Sequence, residues 1–356
     1  MKQYEVAVGG GGIIGLSVAL ALKQRGMDVV LIDEPRAGMA SLAAAGMLAA
    51  DDPENPPELH ALSLHSVALY PEYLDHLEML GGQRVVWETS ATLQKHVHAP
   101  IADRVSAHRF TRSVPALSAL EDFVLLQEHS LDPRKLHAAA QSAVDAAGVK
   151  RIAASVRATD ELPHGITITL SNGDKIEVQR YVDCTGAWMR SVPQAVTPRK
   201  GQMMRVRLGD MLHTERFGNV VLRTPEIYVV PRLDGSAIIG ATVEDIGFDL
   251  STHEDALERV QQTAAELVPA IAHAPRIEQW AGLRPGTRDD LPLIGALTER
   301  HFVAGGHFRN GILLAPATAE AVADLIFGNA PQVDLSAFQP LRFGLGEPHP
   351  VFAQPS

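Results

Sequence analysis

Apolar residues along the chain fall into short runs whose spacing separates strands from helices. Tyr4-Glu5-Val6-Ala7-Val8 and Val29-Val30-Leu31-Ile32 are brief apolar runs, as strands require, and residues 16–22 between them form a buried helix expected to stop near Gly26. A helical segment follows over residues 58–80, closed by Gly81-Gly82; residues 84–93 are expected as β and residues 102–123 as short and mixed. Asp132-Pro133 has the form of an N-cap followed by proline in the first turn, and its helix runs to Ala147 with Gly148 as the stop. Two hairpins are predicted. One joins residues 166–170 to 175–178 through Asn172-Gly173; the other joins 228–230 to 237–239 around Leu233-Asp234-Gly235. Residues 254–268 and 319–327 have the periodicity of amphipathic helices.

The order of these elements matters more than any one of them. An early strand–helix–strand unit gives way to antiparallel material, and glycine-rich segments return late, at Gly305-Gly306 and Gly311. The expectation is an α/β protein in which the chain leaves a Rossmann-type domain, builds a smaller α+β domain around a large antiparallel sheet, and returns. The first domain would take residues 1–80, 133–200 and 275–345, and the second residues 81–132 and 201–274.

Composition narrows the classes. With 356 residues the chain can bury a large core, and 46% hydrophobic with 21% charged residues argues against disorder. A formal charge of −11 disfavours nucleic acid or an anionic membrane as partner. No apolar run reaches membrane-spanning length and no secretion signal is visible at the start, so a cytoplasmic location is expected. The single cysteine, Cys184, excludes an internal disulfide and a cysteine metal cluster; on an apolar strand it is an inert core thiol. The 15 histidines show no metal-ligand spacing.

Candidate chemistry begins at Gly10-x-Gly12-x-x-Gly15, which lies between the first strand and the first helix. Such glycines permit a tight turn and bring backbone N–H groups to a pyrophosphate at a helix N-terminus. Asp33, about 20 residues on, sits where an acid meets a ribose hydroxyl. Strand, helix, second strand and acid in register predict a dinucleotide, without saying which one. Trp280-Ala281-Gly282-Leu283-Arg284-Pro285-Gly286 places an arginine among glycines that remove bulk around it, in a form suited to gripping a carboxylate. Val182-Asp183-Cys184-Thr185-Gly186-Ala187-Trp188 reads either as an ordinary strand end or as a turn beneath the cofactor. Gly306-His307-Phe308-Arg309-Asn310-Gly311 leads into an apolar helix whose N-terminus can stabilise negative charge, or is simply a strand-to-helix crossover.

Together with Ala43-Ala44-Ala45-Gly46-Met47-Leu48, these motifs resemble the D-amino-acid-oxidase superfamily over about residues 3 to 330, most closely its glycine oxidases of thiamine biosynthesis. The resemblance implies a three-layer ββα cofactor domain and non-covalent FAD. Gly10, Gly12, Ile13, Ile14, Gly15 and Asp33 would hold its adenosine and pyrophosphate, with Val156 meeting the adenine through its backbone. Thr185, Gly186 and Trp188 would lie beneath it, and Ala44, Ala45, Gly46 and Met47 against the isoalloxazine. His307, Arg309, Asn310, Gly311, Ile312 and Leu313 would approach the pyrimidine edge. Arg284 matches the family's carboxylate-binding arginine, Tyr228 its substrate-pocket tyrosine, and Arg309 a second arginine at the pocket mouth. Met47, Glu226 and Val243 would line the substrate pocket; the last two replace a histidine and a methionine of one branch, and Gly9 replaces the usual bulky residue ending the first strand, which would loosen the turn.

The implied reaction is oxidative deamination of glycine or a similar small amino acid (sarcosine, D-alanine, D-proline). Hydride would pass to flavin N5, O2 would be the acceptor, and the products would be a 2-oxo acid, ammonia or amine, and H2O2. An amine or D-amino-acid dehydrogenase that passes electrons to a quinone is the alternative. A homodimer or homotetramer is the expected assembly.

Overall fold

A computed structural model describes residues 3–96, 107, 122–208 and 219–344, so most of the segment 102–123 lies outside the described residues. Among those residues two large sheets divide the strands. In the first, Leu293–Ala296, His301–Gly305, Lys175–Asp183, Gln3–Gly9, Val29–Asp33 and Lys150–Ala153 lie side by side, all parallel from the second onward. Val156–Leu162 and Gly165–Leu170 extend it as an antiparallel meander joined to Lys175–Asp183. The second sheet runs Arg276–Gly286, Thr197–Arg207, Ser236–Gly240, Tyr228–Pro231, Val220–Arg223, Ala91–Lys95 and Phe123–Leu126. Its neighbours are antiparallel except Val220–Arg223 and Ala91–Lys95, which are parallel. The architecture is mixed α/β, with a parallel Rossmann-type sheet and a large, mainly antiparallel second sheet. Arg276–Gly286, expected with the dinucleotide half, pairs along its length with Thr197–Arg207 and belongs to the second sheet.

Local chemistry explains where the elements start and stop. Asp132 accepts hydrogen bonds from the backbone N–H of Arg134 at 2.9 Å and Lys135 at 3.4 Å, and Pro133 opens the helix Pro133–Ala146. Asn172 and Gly173 turn the meander, with Gly173 in the left-handed region at φ +87°. The helix Ile13–Gln24 is buried nearly all round because it is wedged between the parallel sheet and two other helices.

The late helix spans Gly311–Phe327: the helix start expected after Gly311 and the amphipathic run 319–327 form one element, which continues through Pro316. Proline has no N–H for the Ile312 carbonyl. The Tyr70 hydroxyl, from the neighbouring helix His60–Gly81, donates to that carbonyl instead. Ser66 on the same helix donates to the Leu313 carbonyl at 2.6 Å and accepts from the Ala317 N–H at 3.3 Å. Side chains from another helix therefore carry the backbone past the proline.

Candidate FAD and amino-acid site

A cavity of about 520 Å³ runs along the carboxyl ends of the parallel strands and on to the second sheet. That volume is in the range of small-molecule and cofactor sites. It is walled by the loop at Gly10, Gly11 and Gly12, by Asp33, by residues 43–47, by residues 154–159, by the turn after Asp183, and by residues 304–305 and 307–312. The second sheet adds Met203, Arg223, Tyr228, Gly240 and Arg284.

One end is built almost wholly from backbone. Gly10 has φ +98°, and a Cβ on Gly15 would lie 1.9 Å from the Gly10 carbonyl oxygen, so the helix Ile13–Gln24 can press onto the loop only without that side chain. The Gly11 N–H donates to Asp33 Oδ1 at 2.7 Å, and the Ile13 N–H to Ser41 Oγ at 2.9 Å. His137 reaches over from the helix Pro133–Ala146 and bonds the Gly11 carbonyl at 2.8 Å. Gly12 and Asn310 are the N-caps of the helices Ile13–Gln24 and Gly311–Phe327; neither makes a side-chain cap, and both border the cavity. Two positive helix ends and an acid pinned at the second strand fit the phosphates and ribose of a dinucleotide.

The other end is built from side chains. Arg284 reaches the cavity from Arg276–Gly286, and its Nη1 donates to the Thr242 carbonyl at 3.1 Å. A Cβ on Gly201 of the adjacent strand would lie 2.3 Å from that guanidinium, so Gly201 makes its room. Gly282 and Gly286, expected to do this, accommodate Ala43 and Arg199 instead. Tyr228 lies against Arg284: burial raises the phenol above its ordinary pKa, and the neighbouring positive charge pulls it back. Burial in turn lowers the Arg284 pKa, with Tyr228 opposing and Arg309 adding to the shift. Arg309 is half-buried, 3.8 Å from Asp52 Oδ2, and the same carboxylate oxygen lies 3.6 Å from Arg223. Arg223 is nearly inaccessible and pairs with Glu128 at 2.8 Å.

Gly10, Gly12, Ile13, Ile14, Asp33, Ala44, Ala45, Gly46, Met47, Val156, Thr185, Gly186 and Trp188 all line the cavity. So do Tyr228, Glu226, Val243, Arg284, His307, Arg309, Asn310, Gly311 and Ile312. Gly15 acts one layer behind, against Gly10, and Leu313 is core whose carbonyl is taken by Ser66. Val156 is the first residue of the strand Val156–Leu162. Glu226 and Val243 are exposed at the rim. His307 is 2% exposed and bonded to Thr318 Oγ1, and burial pushes its pKa down to about 3, so it is neutral. Cys184 is buried, which raises its thiol pKa well above normal. Sequence reading missed Gly11, Ser41, Asp52, Gly201 and Arg223. Gly11 stands at a position the glycine motif leaves open, and Ser41, Asp52, Gly201 and Arg223 belong to no recognisable motif, because each acts on a partner remote in the chain.

Residues 5–325 match the family model DAO, described as FAD dependent oxidoreductase. The chain belongs to this family. It is 35% identical over 95% of its length to a bifunctional protein ThiO/ThiG of Trichormus variabilis, of which it spans about half, 55%. It is 31% identical to a glycine oxidase of Geobacillus kaustophilus, covering 96% of this chain and 97% of that one. The crystal structure of glycine oxidase from that organism superposes with a TM-score of 0.86 at 28% identity, covering 96% and 99% of the two chains. The cofactor that fits the cavity in this FAD-dependent oxidoreductase is FAD. No helix among the described residues is long and apolar enough to cross a membrane.

Proposed function

We propose that the chain oxidises glycine, or a comparably small amino acid, to the 2-oxo acid with release of ammonia and reduction of dioxygen to hydrogen peroxide. For glycine the balance is glycine + H2O + O2 → glyoxylate + NH3 + H2O2. The observation that carries this reading is Arg284, a guanidinium held beside Tyr228 in the same cavity as the two open helix ends. FAD would supply the two-electron acceptor and the reaction with dioxygen. Its adenosine and pyrophosphate would be held by Gly10–Gly12 backbone, Asp33 and Val156, and its ring by residues 44–47 and 309–312.

The protein's own part is orientation. Arg284 binds the substrate carboxylate through its planar fork, and the Tyr228 hydroxyl adds a second hydrogen bond to that carboxylate. Thr242 holds Arg284 from behind. No side-chain base is assigned to Cα: His307, the histidine of this cavity wall, is neutral but bonded to Thr318. The amine must enter uncharged, so kcat/KM should rise with pH through the substrate's ammonium pKa. Val243 is exposed at the rim, so it would not close the pocket against amino acids larger than glycine.

The test is a peroxide assay under air with glycine, sarcosine, D-alanine and D-proline. Stoichiometric peroxide from at least one supports the proposal. Turnover only with an artificial electron acceptor overturns the oxidase reading in favour of a dehydrogenase.

A further inference from the structure

The loop after the first strand is not loosened by the glycine at position 9. Gly9 pairs with Asp183 and Ile32 inside the strand ladder, and the space its side chain would take is filled by Tyr181, whose hydroxyl oxygen would lie 2.4 Å from a Cβ there. Two residues on, both backbone groups of Gly11 are taken by side chains. Its N–H donates to Asp33 Oδ1 at 2.7 Å, and a Cβ at this position would crowd that carboxylate, 2.3 Å from Oδ2. Its carbonyl accepts from His137 Nε2 at 2.8 Å. A carbonyl oxygen only accepts, so Nε2 carries the ring proton.

His137 is 5% exposed, stands on the helix Pro133–Ala146 and does not border the cavity. Burial lowers its pKa, so the ring is neutral at pH 7. What it controls is a peptide. The Gly11–Gly12 bond is trans, so its carbonyl and its N–H point in opposite directions. With the carbonyl turned to His137, behind the wall, the Gly12 N–H faces the other way, and Gly12 borders the cavity. The adjacent donors are committed: Gly10 N–H to the Ile32 carbonyl at 2.8 Å, Gly11 N–H to Asp33, and Ile13 N–H to Ser41. Among the described residues nothing accepts from the Gly12 N–H, which stands at the start of the helix Ile13–Gln24, where the dipole favours an anion. In the run Gly9-Gly10-Gly11-Gly12 no side chain of the loop itself restrains that peptide, so its orientation depends on groups outside the loop.

We propose that His137 is a positioning residue for the FAD diphosphate: by holding the Gly11 carbonyl it keeps the Gly12 N–H turned into the cavity toward the phosphates. This goes beyond the proposed substrate and rests only on FAD being the cofactor, with its diphosphate at the glycine loop.

His137→Leu, which keeps much of the bulk and removes the donor, tests it without any assay of turnover. Apoprotein is titrated with FAD by flavin fluorescence, and with ADP and adenosine by competition. The expected result is a dissociation constant raised roughly five- to tenfold for FAD and ADP, the effect of one hydrogen bond, with adenosine within about twofold of the unaltered chain. His137→Gln, whose amide can donate from nearly the same point, should bring FAD and ADP back to within about twofold. FAD affinity within twofold of normal in His137→Leu overturns the proposal. So does an equal loss for adenosine and ADP, which would mean a loosened fold rather than a turned peptide, or a glutamine variant as weak as the leucine one. If the leucine variant does not fold, His137→Asn, too short to reach the carbonyl, is judged by the same criteria. Because none of these ligands is the amino acid, failure of the substrate proposal leaves this test intact.

Discussion

The two ends of the cavity are built on different principles. At the end bordered by the glycine loop, the glycines, the start of the helix Ile13–Gln24 and Asp33 lie close together in sequence, between residues 10 and 33, and most of the groups they present are backbone. At the end bordered by Arg284, the groups are side chains, and Asp52, Arg223, Tyr228, Arg284 and Arg309 are spread over more than 250 residues of the chain. Backbone sites tolerate side-chain change but not added bulk. Side-chain sites fail when a charge or its support is removed.

The sharpest way to break that contrast is Gly15→Ala. Its Cβ would stand 1.9 Å from the Gly10 carbonyl, so loop and helix must part, and we expect loss of FAD retention or of folded protein, read from flavin absorbance of the purified chain. A yellow, normally stable variant would show that close packing at this end is dispensable. Next in size is Arg284→Ala, expected to weaken substrate binding by roughly 100-fold or more while FAD stays bound, since a charge-assisted pair is lost. Near-normal KM would remove Arg284 from the site.

Asp52→Asn sharpens the comparison further. It withdraws the carboxylate shared by Arg223 and Arg309, and should cost about 1–2 kcal/mol of stability with a several-fold rise in KM. A variant with unchanged melting and KM would show that Glu128 and Gln94 suffice for Arg223.

An effect seen only in acid concerns His307. Its folded pKa of about 3 is below the ordinary value of 6.5, so the unfolded chain binds more protons in between, and stability is complete above pH 6.5 and falls as pH drops toward 3. At pH 5 this group alone withdraws about 2 kcal/mol. His137 and His301 shift in the same direction, so acid weakens the fold from several points. His307→Gln should flatten the melting-temperature profile between pH 7 and 5; an unchanged profile would reject His307 as a contributor.

Reading from the sequence succeeded where a signal was local. Asp132-Pro133, Asn172-Gly173 and the first glycine loop specify their structures within a few residues. It failed at Pro316, because the groups that satisfy the interrupted helix, Ser66 and Tyr70, are about 250 positions away. It also divided one strand: Lys175–Asp183 begins in a hairpin and ends beside Gln3–Gly9, so its two halves carry different patterns. Arg284 was legible from its motif, but the reason it fits was not. Flanking glycines in the same strand suggested space, whereas Gly201 on the neighbouring strand supplies it.

The chain's own order of residues determined the nucleotide-binding turn, the alternation of layers and the family chemistry, since turn geometry and hydrophobic period act over a few bonds. Only the tertiary structure decided which charges share Asp52, which glycine admits Arg284, and why Gly9 carries no side chain beside Tyr181. Those are distances between segments far apart in the chain, set by how strands register and layers pack.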